Sequence, residues 1–195
     1  MKILYPLAFI LVFIGFTQAQ HDWVSGSVVL NTNKVLVGEI SKKPIHDLIL
    51  VKSSEGIRAL PAHQVSYYRF YDGDADINRQ FLSIKSHDFF ETAKFFEIVI
   101  QGNIKVLRRY HKKTAENEVN EAYDFDYFTL YDNTLVPLGQ FKKKVYPKLM
   151  EKYPIEMSTF ISTSQSHHTS TESTFCIIKQ FNSTDGKSNL LRSRT

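Results

Sequence analysis

The stretch DGDADIN, residues 72–78, carries three carboxylates at alternate positions and is the nearest thing in the chain to a metal-binding motif. A helix-loop-helix calcium loop needs oxygen ligands at positions 1, 3 and 5, glycine at position 6 and a bidentate glutamate at position 12. Counted from Asp72, positions 6 and 12 are Ile77 and Ser83, so the glycine and the last ligand are missing. Because Asp and Gly are also ordinary turn residues, we predict a turn between two strands, with a weak non-standard cation site as the alternative.

Histidine directly precedes aspartate at three places, which would suit acid–base chemistry only if the two side chains met. Neighbours on a strand point to opposite faces, so adjacency does not orient an imidazole. We interpret these pairs as coincidence: His21–Asp22, His46–Asp47 and His87–Asp88. His167–His168 supplies two ligands, where zinc takes three or four. The chain also contains no nucleophile elbow, paired-histidine zinc helix or glycine-rich phosphate loop. We therefore predict no catalytic residue, no metal site and no cofactor.

Three other acids lie in strand-like sequence. Glu97 alternates with Phe96 and Ile98 and is predicted to face solvent, although a buried glutamate would be a functional candidate because burial raises its pKa. Asp124 and Asp126 are predicted to lie on the same face of a strand, about 7 Å apart, a spacing at which two carboxylates can act as acid and base. A carboxylate-dependent hydrolase of envelope or extracellular substrates is therefore the alternative function.

Residues 23–138 have the pattern of roughly nine short strands joined by turns. Hairpin turns are predicted at Asn31–Asn33, Ser53–Gly56 and Gln101–Asn103. The last strand region, YDFDYFTLYDNTLVPL, alternates with period 2, as a strand requires. Short strands with frequent turns predict one antiparallel sheet system, closed into a barrel or folded into a sandwich.

The pattern changes to helical spacing after Gly139, which makes the predicted fold class α+β. Phe141, Val145 and Leu149 recur every four residues and predict a first short helix. Pro154 suits the start of a second. The sequence TSTE at 169–172 has the form of a capping box for a third, which would present Phe175, Ile178 and Phe181 on one face. We predict two or three short helices packing on the sheet.

The first twenty residues, MKILYPLAFILVFIGFTQAQ, have the order of a secretory signal peptide: one basic residue, an apolar run, then small residues before a cut after Ala19. The apolar run is short for a membrane anchor, which is the alternative. Cys176, the single cysteine, excludes an internal disulfide, and its place between Phe175 and Ile177 predicts a buried, inert thiol.

The charge of the chain is mildly basic and arranged in blocks. Cleavage after Ala19 removes only Lys2 among the charged residues, so the formal net charge falls from +4 to +3. Basic runs at 105–113 and 142–148 flank an acidic segment, whereas nucleic-acid binders usually carry a continuous basic face. We therefore predict no nucleic-acid partner, and contact with a membrane only through the cleaved signal peptide.

Four segments of the chain follow each other in a characteristic order: WVSGSVVLNTNKVLVGEI, FFEIVIQGNIKVLRR, YDNTLVPLGQFKKKVYPKL and the terminal IIKQFNS. This order resembles small exported proteins of the Bacteroidota, a family with no assigned activity. In the family the last helix ends near Tyr-Tyr-Asn, which corresponds here to Gln180, Phe181 and Asn182. The resemblance implies an exported, β-rich architecture with C-terminal helices and implies no catalytic residues.

The predictions divide the chain into four parts: a signal peptide at 1–19, an antiparallel β domain at 20–138, a helical segment at 139–182 and a disordered tail at 183–195. We expect a periplasmic or extracellular protein of the bacterial envelope that is a non-enzymatic binding or interaction module. Its partner would be an envelope protein or a small ligand. Tyrosine offers apolar area with a polar tip, so the aromatic residues of the strands are the predicted interaction surface unless one alternating set forms the core. They are Tyr67, Tyr68, Phe70, Tyr71, Tyr123, Tyr127 and Tyr131.

Overall fold

A computed structural model describes residues 23–42, 47–85, 92–112, 123–154 and 171–192. The described residues form one ten-stranded antiparallel sheet in the order β10-β9-β8-β7-β6-β5-β1-β2-β3-β4, followed by helices, which confirms the α+β class. The strands are β1 (Trp23–Leu30), β2 (Val35–Ser41), β3 (Leu48–Ser53), β4 (Gly56–Pro61), β5 (Val65–Asp72), β6 (Ile77–Ile84), β7 (Lys94–Ile100), β8 (Lys105–Lys112), β9 (Tyr123–Tyr131) and β10 (Thr134–Pro137). The sheet is open, with β10 and β4 at its two edges.

Residues with positive φ end the strands where the sequence predicts turns. Asn33 has φ 63° in the β1–β2 hairpin and Gly56 has φ +112° in the β3–β4 hairpin. One turn was not predicted: Asp132 and Asn133, with φ 50° and 55°, divide the last strand region into β9 and β10. Two successive left-handed residues form the tight hairpin turn whose twist matches that of the flanking strands. The described sheet therefore has ten strands where about nine were expected.

Two short helices follow β10, α1 (Phe141–Lys144) and α2 (Tyr146–Lys152). Phe141, Val145 and Leu149 are all buried, as their four-residue spacing predicts. The single predicted helix is nevertheless interrupted at Val145. Pro147 sits in the first turn of α2 and has no N–H to continue the hydrogen bonds of α1, so the chain restarts its helix there.

The long helix α3 (Thr171–Arg192) buries Ile178 and Phe181, as predicted. It continues to Arg192, into the segment 183–195 that was predicted to be disordered, because extending a helix costs far less than nucleating one. The signal peptide, the predicted helix after Pro154 and the cap at Thr169 lie outside the described residues. Within the described part of the chain, no helix combines the length and apolar character needed to cross a membrane.

Cys176 is exposed, so the prediction of a buried thiol was wrong. The prediction treated Phe175 and Ile177 as flanking apolar residues of a buried run. On the helix, however, Ile177 and Ile178 turn toward the sheet, together with Thr174 and Phe181, and position 176 lies on the opposite side.

Asn182 fixes α3 to the turn between β7 and β8. Its side-chain amide donates to the carbonyl of Ile104 at 2.9 Å, and its carbonyl accepts the Ile104 N–H at 3.0 Å. Gly102, with φ +152°, passes so close that a Cβ there would lie 2.2 Å from the Asn182 side chain. The end of the segment IIKQFNS is thus a docking residue for the helix.

The sheet rolls up at one end, so that strands far apart in its order share a core. We call β1–β6 the rolled half: Ile49 of β3 belongs to the same apolar cluster as Phe95 of β7, although four strands separate β3 from β7. Gly26 and Gly38 lie opposite each other on β1 and β2, where a Cβ would strike the backbone of the next strand at 2.7 and 2.5 Å. Glycines at such close approaches let the strands coil.

The strands β7–β10 form the helix-covered half, whose inner face packs against α1, α2 and α3. The core there contains Ile104 and Val106 from the sheet side and Leu149, Ile178 and Phe181 from the helices. A third apolar cluster lies on the opposite face of the same strands, with Phe96, Leu107, Phe128 and Leu135. The central strands of this half are therefore buried on both faces.

Candidate functional site

Charged side chains lie on the inner face between the two apolar cores. Glu97 of β7 stands directly opposite Arg108 of β8 and Phe81 of β6, and directly opposite residues share one face. Its exposure is only 4%, so the prediction that Glu97 faces solvent was wrong. Alternation gave the correct period, but Phe96 is also fully buried, so both faces of β7 are covered at this point.

Two arginines converge on the Glu97 carboxylate. Arg108 donates Nε to Oε2 at 2.7 Å and Nη2 to Oε1 at 3.1 Å, while Arg79 donates Nη1 to Oε1 at 2.5 Å. Arg79 also donates Nε to Asp72 Oδ2 at 2.6 Å, and Lys42 Nζ lies 3.6 Å from Asp72 Oδ1. We call these five residues the polar layer. It joins β5, β6, β7 and β8 with the end of β2.

The hydrogen bonds of the polar layer stabilise the charged forms of Asp72, Arg79 and Arg108. The hydrogen bond from Arg79 lowers the pKa of Asp72. Burial by itself would lower the pKa of Arg79 and of Arg108, but their bonds to the carboxylates outweigh it and the pKa of each guanidinium rises. A general acid needs a carboxyl that keeps its proton near neutral pH. The Asp72 carboxylate, held by Arg79 in this way, is suited to bind and to position.

The three aspartates of DGDADIN are each engaged by side chains of the protein, and Asp72 and Asp74 share Lys42. Asp72 ends β5 within the polar layer, exposed Asp74 pairs with Lys42 at 2.5 Å, and Asp76 accepts the Tyr71 hydroxyl at 2.5 Å. Residues 73–76 form the turn between β5 and β6, which confirms the predicted turn. Among the described residues, no three histidine, cysteine, aspartate or glutamate side chains are grouped as a metal ion would need.

Asp47, which we interpreted as part of a chance His–Asp pair, joins distant parts of the sheet. Its backbone has φ 58°, and its carbonyl accepts the N–H of Ala62 at 2.9 Å. Its carboxylate accepts the N–H of Phe95 at 3.1 Å and Nη2 of Arg109 at 2.9 Å, with Lys94 Nζ at 3.7 Å. Asp47 thereby ties the start of β3 to β7 and β8 and closes the roll. No local pattern reveals partners this far away along the chain.

The structure does not bring the seven predicted aromatic residues onto one surface. Tyr68 and Phe70 are buried in the core of the rolled half, whereas Tyr67 and Tyr71 of the same strand point to the outer face. Tyr127 and Tyr131 pack beside the helices. The side chains of Tyr123 and Asp124 lie outside the described part of the chain, and Asp126 is exposed. The Asp124–Asp126 pair therefore stays a prediction.

The outer face of β1–β5 carries an exposed apolar patch. Cross-strand pairing places Ser25, Glu39, Lys52 and Ile57 in one row, and Val37 belongs to the row beside it. Four large apolar residues on this face are strongly exposed: Val35 at 55%, Val37 at 77%, Ile57 at 61% and Tyr71 at 52%. We call these four residues the outer patch.

The outer patch borders a groove that is open to solvent. Ser25, Val37, Glu39 and Lys52 line this groove, which has a volume of about 470 Å³. Lys52 pairs with Glu39 at 2.7 Å, so the groove has a polar side as well as the apolar side of Val37. A partner that covered it would meet apolar and charged side chains next to each other.

Comparison of the chain with known protein families, with curated proteins and with solved structures finds no match. A function is therefore inferred from the geometry of the polar layer and of the outer patch.

Proposed function

We propose that this protein is an exported, non-enzymatic interaction module of the bacterial envelope that binds a protein partner through the outer patch. The observation that carries the proposal is the grouping of Val35, Val37, Ile57 and Tyr71 on one face, each exposed by more than half. Single exposed apolar residues are ordinary, whereas several on one face mark interaction sites. The signal-like start of the chain supports the compartment.

An extended segment of a protein is the occupant that best fits this place. Within the described sheet, β4 pairs only with β3 and is an edge, and its residues 56–59 are exposed. A strand of the partner pairs with the backbone of β4 while its alternate side chains cover Ile57, and a flanking part of the partner covers Val37, which lies two strands further in on β2. Backbone pairing would supply affinity, and the apolar contacts would supply selectivity.

The hydrolase alternative has less support. The buried carboxylates Asp72 and Glu97 are both engaged by Arg79, and the cause that most affects the Asp72 pKa lowers it. Paired acid–base catalysis would need one carboxyl that holds its proton.

Site-specific photo-crosslinking from position 37 tests the proposal. A photoreactive residue at Val37 should join the mature protein to a discrete partner in envelope extract, and Ile57→Glu in the same chain should reduce that product about tenfold, because a charge cannot be desolvated there. The matched control is Val99→Glu, which places a charge at an exposed valine of β7. An unchanged product in the Ile57→Glu protein, or an equal loss with Val99→Glu, would contradict binding at the outer patch.

A further inference from the structure

A cavity of about 250 Å³ lies where the last hairpin of the sheet, β9–β10, meets the helices α1 and α2. The residues that line it come from both hairpin strands, from both helices and from the junction between the helices: Tyr131, Thr134, Val136, Lys144, Val145 and Lys148. None of them belongs to the outer patch or to the polar layer. We call this place the hairpin cavity.

The geometry of the strands and helices brings these residues together. Thr134 and Val136 are two residues apart on β10, so their side chains point to one face, and Tyr131 stands directly opposite Thr134 on β9. Lys144 and Lys148 are four residues apart across the junction of α1 and α2, a spacing that places two side chains on one side of a helix. The hairpin thus supplies one wall of the cavity and the helices supply the other.

The hairpin cavity is apolar at its closed end and basic at its open end. Val136 and Val145 are buried, with exposures of 4% and 2%, whereas Lys144 and Lys148 are exposed. Tyr131 is half-buried and packs against the core beneath the helices. A ligand that entered past the lysines would therefore meet an apolar interior.

The two lysines carry positive charge that the described residues do not neutralise. No carboxylate lines the cavity, and within the described part of the chain neither Lys144 nor Lys148 forms an ion pair. The nearest acids along the chain, Asp132 in the β9–β10 turn and Glu151 on α2, are exposed and do not line the cavity. Because like charges four residues apart on a helix repel each other, an anion between the two ammonium groups would remove an unfavourable interaction.

The volume of the cavity limits the size of its ligand. A water molecule occupies about 30 Å³ in the liquid, and at that volume for each non-hydrogen atom the cavity holds about eight. In small-molecule sites an apolar lining supplies contact area, while a few charged groups fix the orientation of the ligand. A chain of several carbons with one acidic group at its end meets both conditions.

We propose that the hairpin cavity binds a medium-chain fatty acid. The carboxylate lies between the ammonium groups of Lys144 and Lys148, and the chain extends inward over Val136 and Val145, beside the ring of Tyr131. The basic run at 142–148 thereby has a role for two of its lysines. The site is independent of the outer patch and of the protein partner proposed there.

Titration of the mature protein with octanoate tests the site. ¹H–¹⁵N NMR spectra are recorded at constant ionic strength and at octanoate concentrations below those at which micelles form. We expect saturable shifts of the backbone amides of Thr134, Val136 and Val145. Acetate, which has the same head group without the chain, should bind about a hundredfold more weakly because it buries little apolar surface.

Two double variants with the same loss of charge distinguish the cavity from the basic run as a whole. Lys144→Gln combined with Lys148→Gln removes both lysines of the cavity and should weaken octanoate binding about tenfold. Lys142→Gln combined with Lys143→Gln removes two exposed lysines of α1 that do not line the cavity, and should change the affinity less than about twofold because solvent and salt screen their charges. All four lysines are exposed, so both variants should fold.

Three outcomes would overturn the proposal. One is the absence of saturable, octanoate-dependent shifts in the natural protein. The second is equal affinity of the two double variants for octanoate. The third is binding of acetate or of uncharged 1-octanol as tight as that of octanoate, since the first would show that the chain makes no contact and the second that the lysines do not hold the head group.

Discussion

The rolled half and the helix-covered half solve the same problem in different ways. Each half must cover one apolar face of an antiparallel sheet. In the rolled half, the sheet coils at Gly26 and Gly38 until β3 and β4 cover β6 and β7, so the sheet is its own second layer. In the helix-covered half, α1, α2 and α3 provide that layer.

The two halves are therefore stabilised by different kinds of contact. The rolled half depends on contacts between strands, with Asp47 joining β3 to β7 and β8. The helix-covered half depends on the docking of elements that are distant in sequence, with Asn182 joining α3 to the β7–β8 turn. The polar layer lies between the two cores, so Glu97 belongs to both halves.

Replacing Glu97 should have the largest effect on stability. Glu97→Gln leaves Arg79 and Arg108 without their shared anion in a mostly buried place, which should cost about 3 kcal/mol of unfolding free energy. Urea unfolding followed by circular dichroism measures the loss. Because Glu97 lies between the rolled half and the helix-covered half, hydrogen exchange of backbone amides should become faster in both halves.

The matched control is Glu39→Gln, which breaks the exposed pair with Lys52 and should cost less than about 1 kcal/mol. Equal losses for the two variants would show that the polar layer contributes no more than a surface ion pair does.

Replacing Asn182 should have a smaller effect, confined to the helix-covered half. Asn182→Ala leaves the N–H and carbonyl of buried Ile104 without their partners, at a cost of about 2 kcal/mol. Hydrogen exchange should become faster in α3 and in the β7–β8 turn while β1–β5 keep their protection. Ser183→Ala, at an exposed hydroxyl bonded within the helix, is the control. Equal acceleration in the rolled half would contradict the separation of the two halves.

The pH dependence of stability should show the smallest effect, through Asp72. The Arg79 hydrogen bond lowers its folded-state pKa below the unfolded value of about 3.9, so its contribution is present above about pH 4 and is lost as pH falls through the folded-state pKa. Comparison of urea midpoints at several pH values from neutral to acidic should show less acid sensitivity in Asp72→Asn than in the natural protein. Parallel curves for the two proteins would contradict this role of Asp72.

Local sequence patterns predicted the strands and helices well. They predicted the burial of individual side chains correctly only in some cases. Turn residues marked the hairpins at Asn33 and Gly56, because a left-handed backbone is a local requirement. They did not predict the break at Asp132–Asn133, where apolar residues on both sides resembled one strand. For Glu97, alternation correctly separated its side chain from that of Phe96, but the prediction that Glu97 faces solvent was wrong, because which faces meet solvent depends on what packs over the strand.

The candidate sites were predictable only in part, for the same reason. Tyr71 was named in the predicted surface and does lie in the outer patch, while Val37 and Ile57 carry no signal in the sequence beyond being apolar. The polar layer joins Asp72, Arg79 and Arg108 across strands whose pairing cannot be read from any one segment. Tyr68 was chosen as a surface residue and is instead fully buried.

The sequence by itself determined the order of strands and helices, the hairpin turns at Asn33 and Gly56 and the apolar face of α3, because each follows from the conformational preferences and spacing of neighbouring residues. The tertiary structure alone decided that the sheet rolls at one end, that Asp47 and Asn182 are fastening points, and that Glu97 lies between two arginines. These features depend on the juxtaposition of strands and helices far apart in the chain, and the free energy of burying a charge or an apolar face is set by what covers it.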